Sequence, residues 1–535
     1  LLCALGLFGA TLWFSGTAML AQEPDPPPPA LPPPPPPLVR TTPDDSAYPQ
    51  NLLHVVELIE EGYVRPIARV DLLAAALGGL YEVTGESVPP NLRVQAEKAI
   101  RAKSELRLLE QARKQVALAR LNDEEALLAS CRAMVRILDP YCEVLVGDEA
   151  RRISGRMDNF GVGLDLDDSS NAAGIRIKDV FPGSPAQIAG LRPDDRITAI
   201  DGKIVDGMPL HTASLRLNRG SDFPAYIGLG ETAHLHQSEP NSKVVVRIQR
   251  AGVAELRTIS LERRQFHVET VFGVRRRDDN SWDYWIDRDR KIAQVRLGAL
   301  REDTADDLRQ GLTRLREAGM RGLLLDLRWC PGGLVDQSVE SAKLFLEKCT
   351  ICKANGRSRR FEARAGEEPA EKAAGNPEVS RTYASDEPGP FRALHILVLV
   401  NADTSGGGEL IAAALQDHER AVVAGQRTRG KASIQIMDAL PARGAYLKLT
   451  SGEFVRSSGQ KLHRFPDSKP SDEWGVRPNH GLEYRISAGM NRQLREWWAA
   501  QTLRPGGSRE RLPLDDPDAD PQRQLALQAL RERIR

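Results

Sequence analysis

The chain is 535 residues long, and at about 150 residues per domain this length predicts three or four folded units. Its 73 basic and 73 acidic side chains balance, which argues against nucleic acid as the main partner because phosphate binding needs a net basic face. Six cysteines are too few for a disulfide scaffold.

The N-terminal sequence indicates an export segment followed by a spacer. Residues 1–21 carry no charge and are rich in Leu and Phe, which predicts either a cleaved signal peptide or an uncleaved membrane anchor. Residues 22–48 form a linker, and eleven of the fourteen residues from Pro24 to Pro37 are proline, a composition that extends the chain as stiff polyproline II. We therefore expect a protein exported to the bacterial periplasm or cell envelope, with or without a membrane tether.

The periodicity of the remaining sequence changes twice along the chain. Apolar residues recur at helical spacing over residues 51–84, and further helical stretches cover 91–121 and 124–138. Short strands separated by turns follow, and after Lys291 strands and helices alternate, which is typical of an α/β layered domain. The pattern predicts a multidomain α+β protein with four parts: a helical N-terminal region (49–156), a β-domain (157–266), an α/β core (267–490) and a C-terminal helical tail (491–535).

A glycine-rich loop begins the β-domain. It comprises Phe160, Gly161, Val162, Gly163 and Leu164, and it is followed in order by motifs at residues 179–186, 189–191 and 194–202. Together these four segments resemble a PDZ domain. The resemblance implies that the loop amides receive the carboxylate of a peptide C-terminus while the neighbouring strand edge pairs with the peptide backbone. The alternative is a β-domain that only packs against the rest of the chain.

A second set of motifs lies in the α/β core. It comprises residues 322–334 (GLLLDLRWCPGGL), 398–401 (VLVN), 408–417 (GELIAAALQD) and 425–435 (GQRTRGKASIQ). These segments resemble the C-terminal processing peptidases, also called tail-specific proteases, and the likeness extends from residue 51 to residue 521. Membership implies a layered, crotonase-like peptidase core, a serine nucleophile paired with a lysine base, and no cofactor or metal. It implies protein C-terminal tails or unfolded polypeptides as partners.

The resemblance assigns roles to several residues of the core. Lys431 occupies the position of the base, which needs a pKa below the value of about 10.4 for free lysine. Gln435 occupies the position of the residue that orients the lysine. Asp417 matches an acidic position with a structural or assisting role, and a helix-end ion pair with Arg420 is the alternative. Backbone amides of two glycine-rich turns would form the oxyanion hole: those of Gly332 or Gly333 and of Gly407.

The nucleophile position departs from the family pattern. The attacking serine of the family stands three residues before Glu409, and this chain has Gly406 there. A hydroxyl is present one position earlier, on Ser405, but adjacent Cα atoms are about 3.8 Å apart and their side chains diverge. Three interpretations are open. Ser405 is a shifted nucleophile aimed by a deformable glycine turn, or it caps the following helix, or the site is an inactive remnant that binds peptide carbonyl or carboxylate groups through backbone amides.

The remaining cysteines and histidines give weaker signals. Cys349 and Cys352 have the spacing of a metal or redox pair, but a local disulfide or two free thiols is expected because no second pair follows. Cys330 stands in the turn that contains the Pro-Gly-Gly sequence, and it is the next candidate nucleophile if Ser405 does not serve. His234 and His236 lie in an insertion within the β-domain and are expected to be loop residues.

Two functions from different classes follow from these patterns. One is an exported serine endopeptidase that cleaves near exposed C-termini, which the presence of Lys431 and Gln435 favours. The other is a non-catalytic pseudopeptidase that binds tails or scaffolds a partner, which Gly406 favours. A homo-oligomeric assembly is compatible with either function.

Overall fold

The computed structural model describes residues 47–116, 121–146, 160–171, 174–208, 210–219, 241–356, 379–503 and 518–534. The expected export segment, almost all of the proline-rich linker and the pair His234 and His236 lie outside these residues. Within them, no helix has the length and apolar character needed to cross a membrane.

Five helices form the N-terminal region. Their bounds are α1 Tyr48–Gly62, α2 Arg69–Thr84, α3 Leu92–Arg101, α4 Glu105–Gln115 and α5 Asp123–Arg136. Their apolar faces meet in one core, in which Leu52, Leu77 and Met134 are fully buried. A capping box starts α5, because the Asn122 side chain accepts from the Glu125 amide while the Glu125 carboxylate accepts from the Asn122 amide.

An antiparallel sheet joins the helical region to the rest of the chain. Its order is β1-β21-β16-β17, with β20 paired to β21. The bounds are β1 Glu143–Val146, β16 Cys349–Gly356, β17 Val379–Ser385, β20 Ser433–Ala439 and β21 Ala445–Arg456. Leu447 and Leu449 of β21 are buried in the same core as the N-terminal helices. The helical region therefore buttresses the strand pair that carries Gln435.

The β-domain contains a separate six-stranded antiparallel sheet. Its order is β3-β4-β5-β7-β8, with β6 paired to β5. The bounds are β3 Leu164–Asn171, β4 Gly174–Val180, β5 Arg196–Ile200, β6 Lys203–Ile204, β7 Lys243–Gln249 and β8 Arg257–Glu262. The domain also contains the ribbon of β2 Phe160–Gly161 with β9 Arg264–Gln265, and the helices α6 Pro185–Ile188 and α7 Leu210–Arg219. Strand β3 lies at the edge of the sheet, and α7 packs beside it.

The α/β core is built on a second six-stranded sheet. Its parallel strands are β14 Ile292–Leu297, β15 Gly322–Asp326, β18 His395–Val400 and β19 Val422–Gly425. The strands β10 Val271–Phe272 and β13 Trp285–Asp287 pair antiparallel with β14. A small ribbon joins β11 Arg275–Arg276 to β12 Trp282–Asp283. The alternating pattern of the sequence thus forms a mainly parallel sheet, as parallel strands require crossover connections.

Helices cover both faces of this sheet. On one face lie α8 Thr304–Glu317, α9 Val335–Lys343 and α10 Gly407–Asp417. On the other lies α12 Pro521–Arg533, whose Leu527 and Leu530 pack on Leu324 and Leu399. A further helix, α11 Ala488–Leu503, precedes it. The prediction of a multidomain α+β protein is confirmed, while the domain boundaries stay predictions.

The motif-bearing loops leave the same edge of the core sheet. Strand β15 ends at Asp326, β18 at Val400 and β19 at Gly425, and the glycine-rich turns follow these ends. Because parallel strands present their carboxyl ends together, segments far apart in sequence meet there. This edge carries the candidate site.

Replacing Leu530 by Ala should lower the free energy of unfolding by ~2–5 kcal/mol, because the fully buried side chain fills the contact between α12 and the sheet. Urea unfolding followed by circular dichroism measures the change. The exposed neighbour Gln528, replaced by Ala, is the matched control and should change stability by less than about 0.5 kcal/mol. Equal effects of the two substitutions would contradict the packing described for α12.

Candidate active site

A buried ion-pair network supports the turn that follows β15. The guanidinium of Arg328 donates to Asp326 at 3.0 and 2.9 Å and to Asp520 twice at 2.8 Å, and its side chain is fully buried. Burial alone would lower the pKa of Arg328, but the two carboxylates raise it above its ordinary value. Because Asp520 is the N-cap of α12, the network fastens the C-terminal helix to this turn.

Amide side chains connect the turn to its neighbours. Trp329, in the left-handed region with φ +58°, donates its backbone N–H to the Asn401 side chain at 3.1 Å. Its indole N–H donates to Asn491 of α11 at 2.9 Å, and the Asn491 amide donates in turn to Asp403 at 2.9 Å. The turns after β15 and β18 are therefore held together directly by Asn401 and through one side chain of α11, Asn491.

The turn between β18 and α10 is a strained elbow. Gly406, the N-cap of α10, has φ +57° and ψ −123°, a conformation that residues with a side chain rarely adopt. A Cβ placed on Gly406 would lie 3.3 Å from the Pro331 carbonyl oxygen and 3.4 Å from Gly332 Cα. Hydrolase nucleophiles stand on strained strand-to-helix turns of this kind. The chain thus has an elbow without a side chain on it.

One buried carboxylate ties this elbow to the loop that carries the lysine. Glu409 is fully buried, and its Oε2 accepts from the Gly406 amide at 3.0 Å. Its Oε1 accepts from the Thr428 hydroxyl at 2.5 Å and from the Gly430 amide at 2.6 Å. Burial raises the pKa of Glu409 to about 7, although these hydrogen bonds act in the opposite direction. The placement of Lys431 relative to Gly406 therefore depends on Glu409.

Lys431 has the environment that a base requires. Burial lowers its pKa, and the charges of Lys448 and Arg429 act in the same direction. Its Nζ lies 5.5 Å from the centroid of the Tyr141 ring and donates no hydrogen bond to any residue that the structure describes. A lysine with a lowered pKa releases its proton more readily, so the position is chemically competent.

Gln435 is held on β20 by two neighbours. Its Nε2 donates to Ser433 Oγ at 2.8 Å and to Thr450 Oγ1 at 2.9 Å. Its Oε1 is buried and finds no partner in the described part of the chain. The contact with Lys431 that the resemblance implies is not formed, but each side chain keeps an unused hydrogen-bonding group.

The two glycine-rich turns meet as the resemblance implies. Gly332 lies against Gly407, since a Cβ placed on Gly332 would be 2.6 Å from the Gly407 nitrogen. The Gly332 amide faces the sulfur of Cys330, where it lowers the thiol pKa against the larger effect of burial. The amides of Gly333 and Gly407 have no acceptor among the described residues. Gly333 and Gly407 are thus the better candidates for an oxyanion hole.

Neither Ser405 nor Cys330 presents a free reactive atom. The Ser405 side chain is 3% exposed, and its Oγ donates to the Pro331 carbonyl at 3.1 Å. Cys330 is fully buried, its Sγ donates to the Gly298 carbonyl at 2.9 Å, and burial raises its pKa to about 12. The interpretation of Ser405 as a helix cap is wrong, because Gly406 is the N-cap and the Ser405 hydroxyl bonds to another turn.

The glycines of the elbow are tightly packed. A Cβ on Gly407 would lie 2.1 Å from Ser338 Oγ, and one on Gly408 would lie 3.1 Å from Cys330 Sγ. These residues are glycine because other elements approach closely. The packing therefore opposes the deformation that a shifted Ser405 nucleophile needs.

Asp417 stands at the far end of α10 with a structural set of partners. Its carboxylate forms an ion pair with Arg456 and accepts from Ser457 and Ser458 at 3.1 Å. The alternative of an ion pair with Arg420 is wrong, because that guanidinium donates to the backbone carbonyls of residues 345, 391 and 394. Asp417 thus fastens α10 to β21, and no contact links it to Lys431 within the described residues.

The loop of the β-domain, Phe160 to Leu164, leads into β3. Its Val162 carbonyl accepts from the Ala186 amide at 2.9 Å, and its Gly163 carbonyl accepts from the Phe181 amide at 3.0 Å. These bonds turn the carbonyls toward α6. Strand β3 keeps one edge unpaired, the arrangement that a peptide strand can extend.

The cysteine pair of β16 forms no disulfide. Cys349 and Cys352 are free thiols, as one of the two expectations had it. Among the described residues no group of three or more His, Cys, Asp or Glu side chains could hold a metal ion.

Sequence reasoning assigned no role to several residues that build the site. Glu409 carried a usable signal, since an acidic residue three positions after an N-cap position is half of a capping box. Asn491 and Asp520 carried none, because both are far from the motifs in sequence and reach the site only through the packing of α11 and α12.

Two segments of the chain match family models. Residues 291–478 match the model described as Peptidase family S41, and residues 152–222 match that of the PDZ domain. The carboxy-terminal processing protease CtpA of Bacillus subtilis (strain 168) is 26% identical over 349 residues, 64% of this chain and 63% of that protein. A probable CtpA-like serine protease of Staphylococcus haemolyticus (strain JCSC1435) is 26% identical over 337 residues, 63% of this chain and 57% of that protein. The match thus spans about six-tenths of these relatives.

Solved structures are also similar to the chain. The photosystem II D1 C-terminal processing protease matches 82% of this chain and 94% of its own, at 21% identity and a TM-score of 0.39. Mature CPAF complexed with lactacystin matches 80% of this chain and 92% of its own, at 14% identity and a TM-score of 0.35. With TM-scores below 0.5, neither similarity bears on function.

The raised pKa of Glu409 predicts a pH dependence of stability. A folded-state pKa near 7, above an unfolded value of about 4.5, means that the native state binds this proton more tightly. The contribution of this proton to the free energy of unfolding is fully present below pH 4.5 and is lost as pH rises through 7. Relative to Glu409→Gln, the wild-type protein should lose about 3 kcal/mol of unfolding free energy between pH 5 and pH 8.

Urea unfolding at several pH values measures this difference. The exposed Glu57, replaced by Gln, is the matched control and should give a profile parallel to that of the wild type. Parallel profiles for wild type and Glu409→Gln would contradict the role assigned to the buried carboxylate.

Proposed function

The chain belongs to the C-terminal processing peptidases, with a PDZ domain, and on that basis we propose that it captures protein tails or unfolded polypeptides without hydrolysing them. The observation that carries the proposal is Gly406 at the elbow. The hydroxyl of the preceding residue, Ser405, and the thiol of Cys330 are buried and donate to backbone carbonyls. A Ser–Lys peptidase needs an attacking atom beside its lysine, and the residue at the elbow of the described chain, Gly406, carries no side chain.

The remaining parts of the site support a binding role. The Gly407 amide, which has no acceptor among the described residues, stands at the N-terminus of α10, where a helix dipole favours a carbonyl oxygen or a carboxylate. The Gly333 amide, likewise without an acceptor there, lies in the neighbouring glycine-rich turn. Transition-state chemistry requires a nucleophile, whereas ground-state binding of a peptide does not. The loss of one side chain thus removes catalysis and leaves the binding groups.

A retained serine peptidase is the second candidate. Its support is Lys431, whose lowered pKa and unbonded Nζ suit a base. In that case Ser405 would have to leave the Pro331 carbonyl and turn toward the lysine, against the packing of Gly407 and Gly408.

The proposed place of action is the periplasm or the cell envelope. Support comes from the uncharged residues 1–21 and the eleven prolines between Pro24 and Pro37, which suit an export segment and a stiff spacer. The ligands would then be tails of other exported proteins.

Restoring the hydroxyl tests the loss of catalysis. The wild-type protein should not cleave fluorescein-labelled casein, and Gly406→Ser should do so because only the attacking atom is absent. Gly406→Ala is the matched control. Both variants should lose about 1–3 kcal/mol of stability, since either side chain must adopt φ +57°. Only the serine variant should gain activity.

The opposite outcome identifies the second candidate. If the wild-type protein cleaves casein and Ser405→Ala abolishes the cleavage, the protein is a peptidase with a shifted nucleophile. Cleavage that survives Ser405→Ala would contradict both candidates.

Tail recognition by the PDZ domain is tested by calorimetry with a decapeptide that ends in an apolar residue. The free carboxylate supplies the charge that the loop amides of residues 161–164 receive. Amidation of the C-terminus should therefore weaken binding at least about tenfold, the loss of a charge-assisted hydrogen bond. Equal affinity for both peptides would show that the loop does not bind the C-terminal carboxylate.

A further inference from the structure

Two carbonyls of the loop before β3 are bonded within the β-domain. The Val162 carbonyl is bonded to the Ala186 amide, and the Gly163 carbonyl is bonded to the Phe181 amide and the Ser184 hydroxyl. These bonds fix the carbonyls on the side of α6. The outer edge of β3 and the helix α7 lie beside the loop.

One side chain of α7 already uses an amide of this loop. The Oδ1 of Asn218 accepts from the Val162 N–H at 3.2 Å. The Nδ2 of the same side chain donates to the Ser214 carbonyl of its own helix at 3.0 Å. Asn218 is therefore held at both ends, with its oxygen directed at the loop.

The backbone of the loop is shaped around this contact. Gly161 has φ +145°, and a Cβ placed on it would lie 2.2 Å from Asn218 Oδ1 and 2.9 Å from its Cγ. Only glycine admits the amide group of Asn218 at this distance. The contact is thus built into both the loop and the helix.

We propose that Asn218 is an internal competitor for the tail-binding loop. Its neutral oxygen occupies the Val162 N–H, one of the donors that an incoming carboxylate would use, so a tail must displace Asn218 to engage the whole loop. This inference rests on the proposed recognition of tails. Its consequence is that the loop binds carboxylates more weakly than its backbone geometry permits.

The chemistry of the two oxygens sets the expected size of the effect. A net hydrogen bond between neutral groups is weak, and a bond from an amide to a carboxylate is about twice as strong, so a tail can displace Asn218 at a cost. Removing the competitor should lower the Kd for a free-carboxylate peptide about three- to tenfold. The affinity for the amidated peptide should change less than about twofold, because it brings no charge to the loop.

The experiment compares three variants of the full chain with the wild type, using a fluorescent decapeptide that ends in valine and its amidated form. Asn218→Ala should bind the free-carboxylate peptide about three- to tenfold more tightly. Asn218→Asp should bind it more weakly than wild type, because a second carboxylate occupies the loop and repels the first. Ser214→Ala is the control on the same helix, since it keeps the backbone carbonyl to which Asn218 donates, and it should match wild type.

The possible outcomes separate the competitor from tail recognition itself. If wild type and Asn218→Ala bind the free-carboxylate peptide with equal affinity, the proposal that Asn218 competes with tails is overturned, and the proposed recognition of tails is unaffected. Weaker binding by Asn218→Ala also overturns it, because the side chain then supports the loop. If neither the wild type nor any variant binds either peptide, the proposed recognition of tails is overturned, and the proposal that Asn218 competes is overturned with it. Tighter binding by Asn218→Ala together with weaker binding by Asn218→Asp supports the proposal that Asn218 competes, even if one of these variants is partly destabilised.

Discussion

The buried carboxylate of Glu409 is the constraint on which the geometry of the site depends. It accepts from the Gly406 amide on one oxygen and from Thr428 and Gly430 on the other, so it binds the elbow to the loop that places Lys431. A carboxylate without water around it must satisfy its oxygens within the protein, and here the donors come from two separate segments. Removing one of these donors would leave the buried carboxylate with fewer hydrogen bonds to offset its loss of water. The spacing of the two segments is therefore fixed by the cost of burying a charge.

A second layer of polar contacts holds the turns around that carboxylate. Arg328 is buried between Asp326 and Asp520, and the turn beside it bonds to Asn401 and Asn491. An intact buried ion pair adds little net stability, but breaking one costs about 3–5 kcal/mol because a charge is left uncompensated. Such a network specifies one arrangement of α11 and α12 against the site. The C-terminal helices thus belong to the architecture of the core.

Binding and chemistry can be lost separately in a site of this kind. The strained backbone at Gly406, the free amides of Gly333 and Gly407 and the lowered pKa of Lys431 are all present without an attacking atom. Strained geometry costs about 1–3 kcal/mol when a side chain must adopt it, and glycine removes that cost. A glycine at the elbow therefore keeps the turn and relieves the strain that a nucleophile would impose. The proposed capture of polypeptides uses what remains.

The sequence alone determined the fold class and the order of the helical region, the β-domain and the α/β core. Helical spacing, strand alternation and ordered motifs are local properties, and they can be recognised in the sequence without knowledge of the packing. It also located Gly406, Lys431 and the loop before β3, since these lie within the motifs. It could not determine that the Ser405 hydroxyl bonds to the Pro331 carbonyl or that Asp417 pairs with Arg456, because those partners are 74 and 39 residues away in the chain. Such pairings depend on how the sheets and helices pack, and only the tertiary structure brings the two ends of each contact together.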